Sequence, residues 1–152
     1  MKLAEALQER ADLNRKIAQL SARLKNNALV QEGECPGEDP GELLEELNGC
    51  IQRLETLLTQ INRTNCETKL GGETLTAMLA RKDALILRLQ AYRELADTAS
   101  QNARRATHSE IKLLSTVNVR ELQQEADRMS KTLRELDNAL QSANWQTELI
   151  ED

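Results

Sequence analysis

Phenylalanine is missing from this chain, and one Trp and one Tyr are its only aromatic residues. Proline occurs twice and glycine six times in 152 residues. Sandwiches and layered sheets draw on β-branched and aromatic residues and punctuate their strands with turn residues. That poverty argues against a sheet-based architecture. Long hydrophobic runs are missing too. The longest, Ala84–Leu87, falls far short of the ~20 apolar residues that span a bilayer. The opening Met1-Lys2-Leu3-Ala4-Glu5 is charged and amphipathic instead of an apolar leader, so the expectation is a cytoplasmic protein. Three cysteines, Cys35, Cys50 and Cys66, are an odd set that fits reduced thiols.

A positive surplus is also lacking. Twenty Lys and Arg stand against twenty-five Asp and Glu, a net charge of −5. Nucleic-acid binding draws its affinity from neutralising phosphates, and docking to an anionic leaflet draws on basic segments. Neither nucleic acid nor membrane is therefore expected as a partner.

Catalytic chemistry has little to stand on. His108 is the single histidine, so the Glu-x-x-His pairs of helical carboxylate metal sites cannot form. The cysteines and His108 lack zinc-site spacing. His108-Ser109-Glu110 holds the residue types of a triad, but sequence neighbours cannot adopt triad geometry. Gly71-Gly72 reads as a hairpin turn, not as a phosphate loop. No catalytic, cofactor or metal residue is assigned, and the expectation is no enzyme and no cofactor.

What is present is helix. Ala, Glu, Lys, Leu and Arg make just over half the chain, the composition of long helices and coiled coils. Leu3, Ala6, Leu13, Ile17, Leu20 and Leu24 mark a first helix over about 2–26, with Glu9, Arg10, Asp12, Arg15 and Lys16 as its solvated face. Asp39-Pro40 starts a second helix, which runs to about Asn65 along Leu44, Leu47, Ile51, Leu54, Leu58 and Ile61. Gly49 inside it suggests a close helix approach. Thr74 caps a third helix to about Asn102, in which Leu85, Ile86 and Leu87 point three ways. These three residues are the candidate oligomer interface. Asn118 or Thr116 caps a fourth helix along Val119, Leu122, Ala126, Met129, Leu133, Leu136, Leu140 and Ala143, and Trp145 is expected to pack back onto the helices.

The resulting expectation is a single domain over 1–152. It is all-α, an elongated antiparallel bundle or set of coiled-coil hairpins made of about four long helices, with helices two and three as neighbours. The extended stretches 28–33 and 111–117 are expected to pair as two short β-strands. One polar constellation stands out. Asn62, Arg63 and Asn65 end helix two, Arg81, Asp83 and Arg88 open helix three, and Lys112 lies in the second extended stretch. Together they could hold an anion or a partner's carboxylate. The alternative is ordinary helix capping within an ion-pair network.

The segments Arg10-Ala11-Asp12-Leu13, Val30-Gln31-Glu32-Gly33-Glu34, Ile61-Asn62-Arg63-Thr64-Asn65, Arg81-Lys82-Asp83, Ser109-Glu110-Ile111-Lys112 and Asn144-Trp145 resemble a small bacterial family labelled septicolysin-like. The resemblance covers nearly the whole chain. Its label implies a cytolytic, membrane-active protein. The residues themselves point first to a cytoplasmic, self-associating helical scaffold or interaction protein, and second to a small-ligand-binding bundle around Asn62, Arg63 and Arg81.

Overall fold

A computed structural model describes residues 1–101 and 111–151. Among them are four long helices: α1 (Leu3–Asn26), α2 (Pro40–Glu67), α3 (Leu75–Ala99) and α4 (Val119–Gln146). A two-stranded sheet joins β1 (Lys69–Leu70) to β2 (Glu73–Thr74). The protein is all-α with one short β pair. That pair is not where the sequence places it. Residues 28–33 and 111–117 are both irregular, and the strands flank Gly71 and Gly72 instead. Both glycines have left-handed φ, 61° and 84°, the conformation a two-residue hairpin turn requires at both positions. Local turn chemistry wins here, because closing a hairpin turn costs less chain entropy than closing a loop that spans two helices.

The chain divides into two compact units, Met1–Leu70 with Ala143 onward, and Gly71–Ser142. In the first, α1 and α2 form an antiparallel pair. Leu20, Leu43 and Cys50 are its buried centre, with Leu13, Ile17, Leu24 and Leu47 packed around them. Asn27 joins the ends of the connection. Its Nδ2 donates to Arg23 O at 2.8 Å, and its Oδ1 accepts from Glu38 N at 3.0 Å. Asp39 Oδ1 then accepts from Gly41 N at 3.0 Å, with Pro40 at the first helical position.

Charge holds the register of this pair. Glu9 receives two hydrogen bonds from Arg53, at 2.6 and 2.8 Å. Lys16 pairs with Glu46 at 2.8 Å, and Arg23 with Glu38. The α1 members are seven residues apart, so one ion pair recurs every two turns along a single edge. Glu9 and Lys16 therefore do not belong to the outer face expected of them. Each sits beside the seam and faces the opposite helix.

The second unit pairs α3 with α4, again antiparallel. Thr74 Oγ1 caps α3 by accepting from Ala77 N at 3.2 Å, and Asn118 Oδ1 caps α4 by accepting from Glu121 N at 3.1 Å. Leu89, Ala126 and Met129 are the buried centre, with Leu85, Tyr92 and Leu133 against them. Lys82 bonds Asp137, and Arg93 donates to Ser130 Oγ at 2.7 Å. The antiparallel partners inside the units are thus α1 with α2 and α3 with α4.

Candidate functional site

The polar constellation read from the sequence is divided between the two units. Asn62, Arg63 and Asn65 lie on α2 in the first unit, and Arg81, Asp83 and Arg88 on α3 in the second, with Lys112 in the irregular stretch before α4. Both arginines singled out there are taken up locally. Arg63 Nε donates to Glu67 Oε1 at 3.0 Å, and Arg81 Nη2 to Glu73 Oε2 at 2.9 Å. Asn62, Asp83, Arg88 and Lys112 are exposed, and Asn65 is half-buried.

The residue that matters structurally in the Asn62–Asn65 run is the one the sequence reading passed over. Thr64 is fully buried. Its hydroxyl donates to Gln60 O at 2.8 Å and accepts from Ile150 N at 2.9 Å. This bond anchors a tail that also pairs with the start of the chain. Leu3 N donates to Thr147 O at 2.9 Å, Leu149 N to Met1 O at 2.8 Å, and Lys2 binds Glu148. Leu149 is buried beneath the tail, whereas Trp145 is 53% exposed. The side chain that packs back is the leucine and not the tryptophan. No periodicity signals this arrangement, since a three-residue pairing carries no repeat.

The electrostatics follow these contacts. Hydrogen bonds from Arg53, Arg23, Lys16 and Lys2 hold the carboxyls of Glu9, Glu38, Glu46 and Glu148 below the usual carboxylate range. The same bonds raise Lys16, Arg23 and Arg53. These are exposed pairs that set register and carry little energy each.

The outstanding surface is apolar. On α2 the buried row is Leu43, Cys50, Leu57 and Thr64, with Ile61. Leu47 and Leu54, half-buried, sit between these positions. Leu44, Ile51 and Leu58 belong to the row expected from the sequence, yet they remain 48%, 44% and 37% exposed. The helix thus carries two overlapping heptads that share Leu47, Leu54 and Ile61. One faces α1 and the other is open. Two such rows are the pattern of a helix that packs against two neighbours. The sequence contained this signal in Leu43 and Leu57, which widen the stripe beyond a single seam. Gly49 lies off both rows. A Cβ built on it meets nothing within 4 Å, so it marks no close helix approach.

The three-way leucine run on α3 is used on one side only. Leu85 packs into the second unit's core, while Ile86 is 42% and Leu87 69% exposed. Below them, the groove between α3 and α4 is floored by Ile86, Leu89 and Leu133. A further cleft of about 230 Å³ is lined mainly by Leu95, Ala99, Leu113, Leu114 and Val117. Its Ser115 hydroxyl is spent on Val117's own backbone. Among the described residues no cluster of three or more His, Cys, Asp or Glu could hold a metal ion, and His108 and Ser109-Glu110 lie outside them. No helix among them is long and apolar enough to cross a membrane.

These features define a class: a helical protein of antiparallel helix pairs that leaves apolar rows open on its helices. The chain belongs to the family of unknown function DUF6847, whose pattern matches residues 10–149. Among solved structures it is similar to a functionally unknown conserved protein from Corynebacterium diphtheriae, at 41% identity over 99% of each chain and with a TM-score of 0.94. No curated protein matches it.

Proposed function

We propose that this chain is a non-enzymatic helical scaffold or interaction protein of the cytoplasm that associates with its own copies through open helix faces. The observation that carries this reading is the heptad-spaced row of half-exposed apolar residues Leu44, Ile51 and Leu58 on α2, together with the exposed neighbours Ile86 and Leu87 on α3. Single exposed leucines are ordinary, but rows at helical spacing mark contact surfaces.

The polar cluster gives less support to a small-ligand role, because an anion would have to displace Glu67 from Arg63 and Glu73 from Arg81.

Light scattering coupled to gel filtration at micromolar concentration tests the proposal. The expected mass is a multiple of 17.1 kDa. A single-chain mass across that range would refute self-association.

A further inference from the structure

We propose that the open row on α2 is a two-fold contact in which a second copy lays its own α2 antiparallel across it, with the symmetry axis passing at Ile51. This inference rests on the self-association reading and names its face, partner and register.

Leu44, Ile51 and Leu58 are seven residues apart on one uninterrupted helix. Each heptad drifts about 20° on a straight helix, so the three side chains stay within about 40° of one line. At ~1.5 Å per residue that line is about 21 Å long. An isologous contact must be self-complementary, with residue i meeting j and j meeting i. This row meets that demand, because it is a palindrome about its centre. Leu44 meets Leu58 of the second copy, Ile51 meets Ile51, and Leu58 meets Leu44. The seam is leucine or isoleucine at every level.

The rim chooses the direction. On the side of the row away from α1 stand Asn48, Glu55 and Asn62, with Glu55 the single charge among them. In an antiparallel pair like flanks meet, which sets Glu55 opposite Asn48 of the second copy. An amide donating to a carboxylate is a charge-assisted hydrogen bond, and symmetry makes it twice. In a parallel pair unlike flanks meet. Glu55 would then lie against the second copy's Leu47–Leu54 edge, an apolar surface where a carboxylate loses water and gains no partner. The ion-pair ladder to α1 runs along the opposite edge of α2 and is undisturbed.

The test places cysteines along the row after Cys35→Ser, Cys50→Ala and Cys66→Ser have removed the native thiols. Two Cys residues cross-link only when their Cβ atoms approach to about 4 Å. Under mild oxidation Ile51→Cys is expected to give a disulfide dimer. Leu44→Cys and Leu58→Cys should give little alone and a 44–58 product when mixed. Self-linking of Leu44→Cys with no mixed product would overturn the antiparallel register. In the native-cysteine background, Ile51→Glu sets like charges on the axis. It is expected to weaken association by on the order of a hundredfold or more while helix content by circular dichroism stays unchanged, since position 51 faces outward. A folded Ile51→Glu protein that keeps the native oligomeric mass would overturn this contact and leave self-association through another face standing. A wild-type chain of single-copy mass would overturn both.

Discussion

Replacing Thr64 by Val removes one oxygen and keeps the shape of the side chain. The consequence can be worked out bond by bond. The hydroxyl's bond to Gln60 O is a second bond to a carbonyl already in the helical ladder, so its loss is mild. The bond from Ile150 N has no such cover, because Ile150 lies outside any helix and this hydroxyl is its partner. A part-buried amide left unpaired costs about 1–3 kcal/mol. For a protein of this size each kcal/mol moves the melting temperature by roughly 2–4 °C, so a fall of about 2–12 °C is expected. Thr64→Ser gives the opposite test. It keeps the oxygen and deletes a buried methyl, at about 1 kcal/mol. Stability should therefore rank wild type, then Ser, then Val. Thermal unfolding gives the ranking, and hydrogen exchange by NMR locates the damage. The Ile150 and Leu149 amides should lose protection in the Val variant, and amides at the Leu20–Leu43 centre should keep theirs. A Val variant as stable as wild type, with the Ile150 amide still protected, would refute the claim that Thr64 anchors the tail.

Further tests address the ladder and the turns. Arg53→Glu should destabilise by up to about 1 kcal/mol, and the swap Glu9→Arg with Arg53→Glu should recover most of that loss in urea melts; no recovery would mean the pair does not set register. The four depressed carboxyls give an acid dependence whose sign is fixed. Each adds stability that is present above the ordinary carboxyl value of 4.5 and is lost as pH falls through the lowered native one. Melting temperature should hold near neutrality and fall below about pH 4.5, and a triple Gln variant at Glu9, Glu38 and Glu46 should fall less steeply. Gly49→Ala should stabilise by about 0.5–1 kcal/mol, because it sits in a helix interior with open space around it. Gly72→Ala should destabilise by at least about 1 kcal/mol at its φ of 84°. If both changes act in the same direction in chemical melts, the conformational argument fails.

Much of the fold was legible because long helices repeat themselves. Rows of leucine at three and four, Pro40 behind Asp39, and Thr74 and Asn118 as caps each act within a few residues. The helices begin and end close to where those signals lie. What failed was non-local. Residues 28–33 and 111–117 read as strands because helical periodicity lapses in both and β-branched residues gather in the second, but a strand is made by ladder pairing, and neither stretch forms a ladder. Trp145 drew attention as the largest apolar side chain, while burial went to Leu149, which the tail's backbone pairing places inside. On α2 the expected row ran through Leu44, Ile51 and Leu58, but burial against α1 goes to Leu43, Cys50 and Leu57 one position earlier, and the expected row stays part-exposed. Glu9 and Lys16 were assigned to solvent because a helical wheel shows charge but not which edge lies beside another helix. The candidate anion site was less legible still: Glu67 and Glu73, the carboxylates that occupy its arginines, are ordinary members of a sequence rich in acids.

The pairing of residues 1–3 with 147–149 has a consequence for synthesis. A ribosome releases α1 and α2 as neighbours in time, and their seam can close as soon as α2 emerges. The lower end of that seam, around Leu3, Ile61 and Thr64, stays without its cover until more than eighty further residues have followed. Closure there spans nearly the whole chain, and contacts of such separation form slowly. The first unit to begin folding is therefore among the last to finish. In the interval, the Leu3 amide and the Thr64 hydroxyl lack the partners that Thr147 and Ile150 later give them.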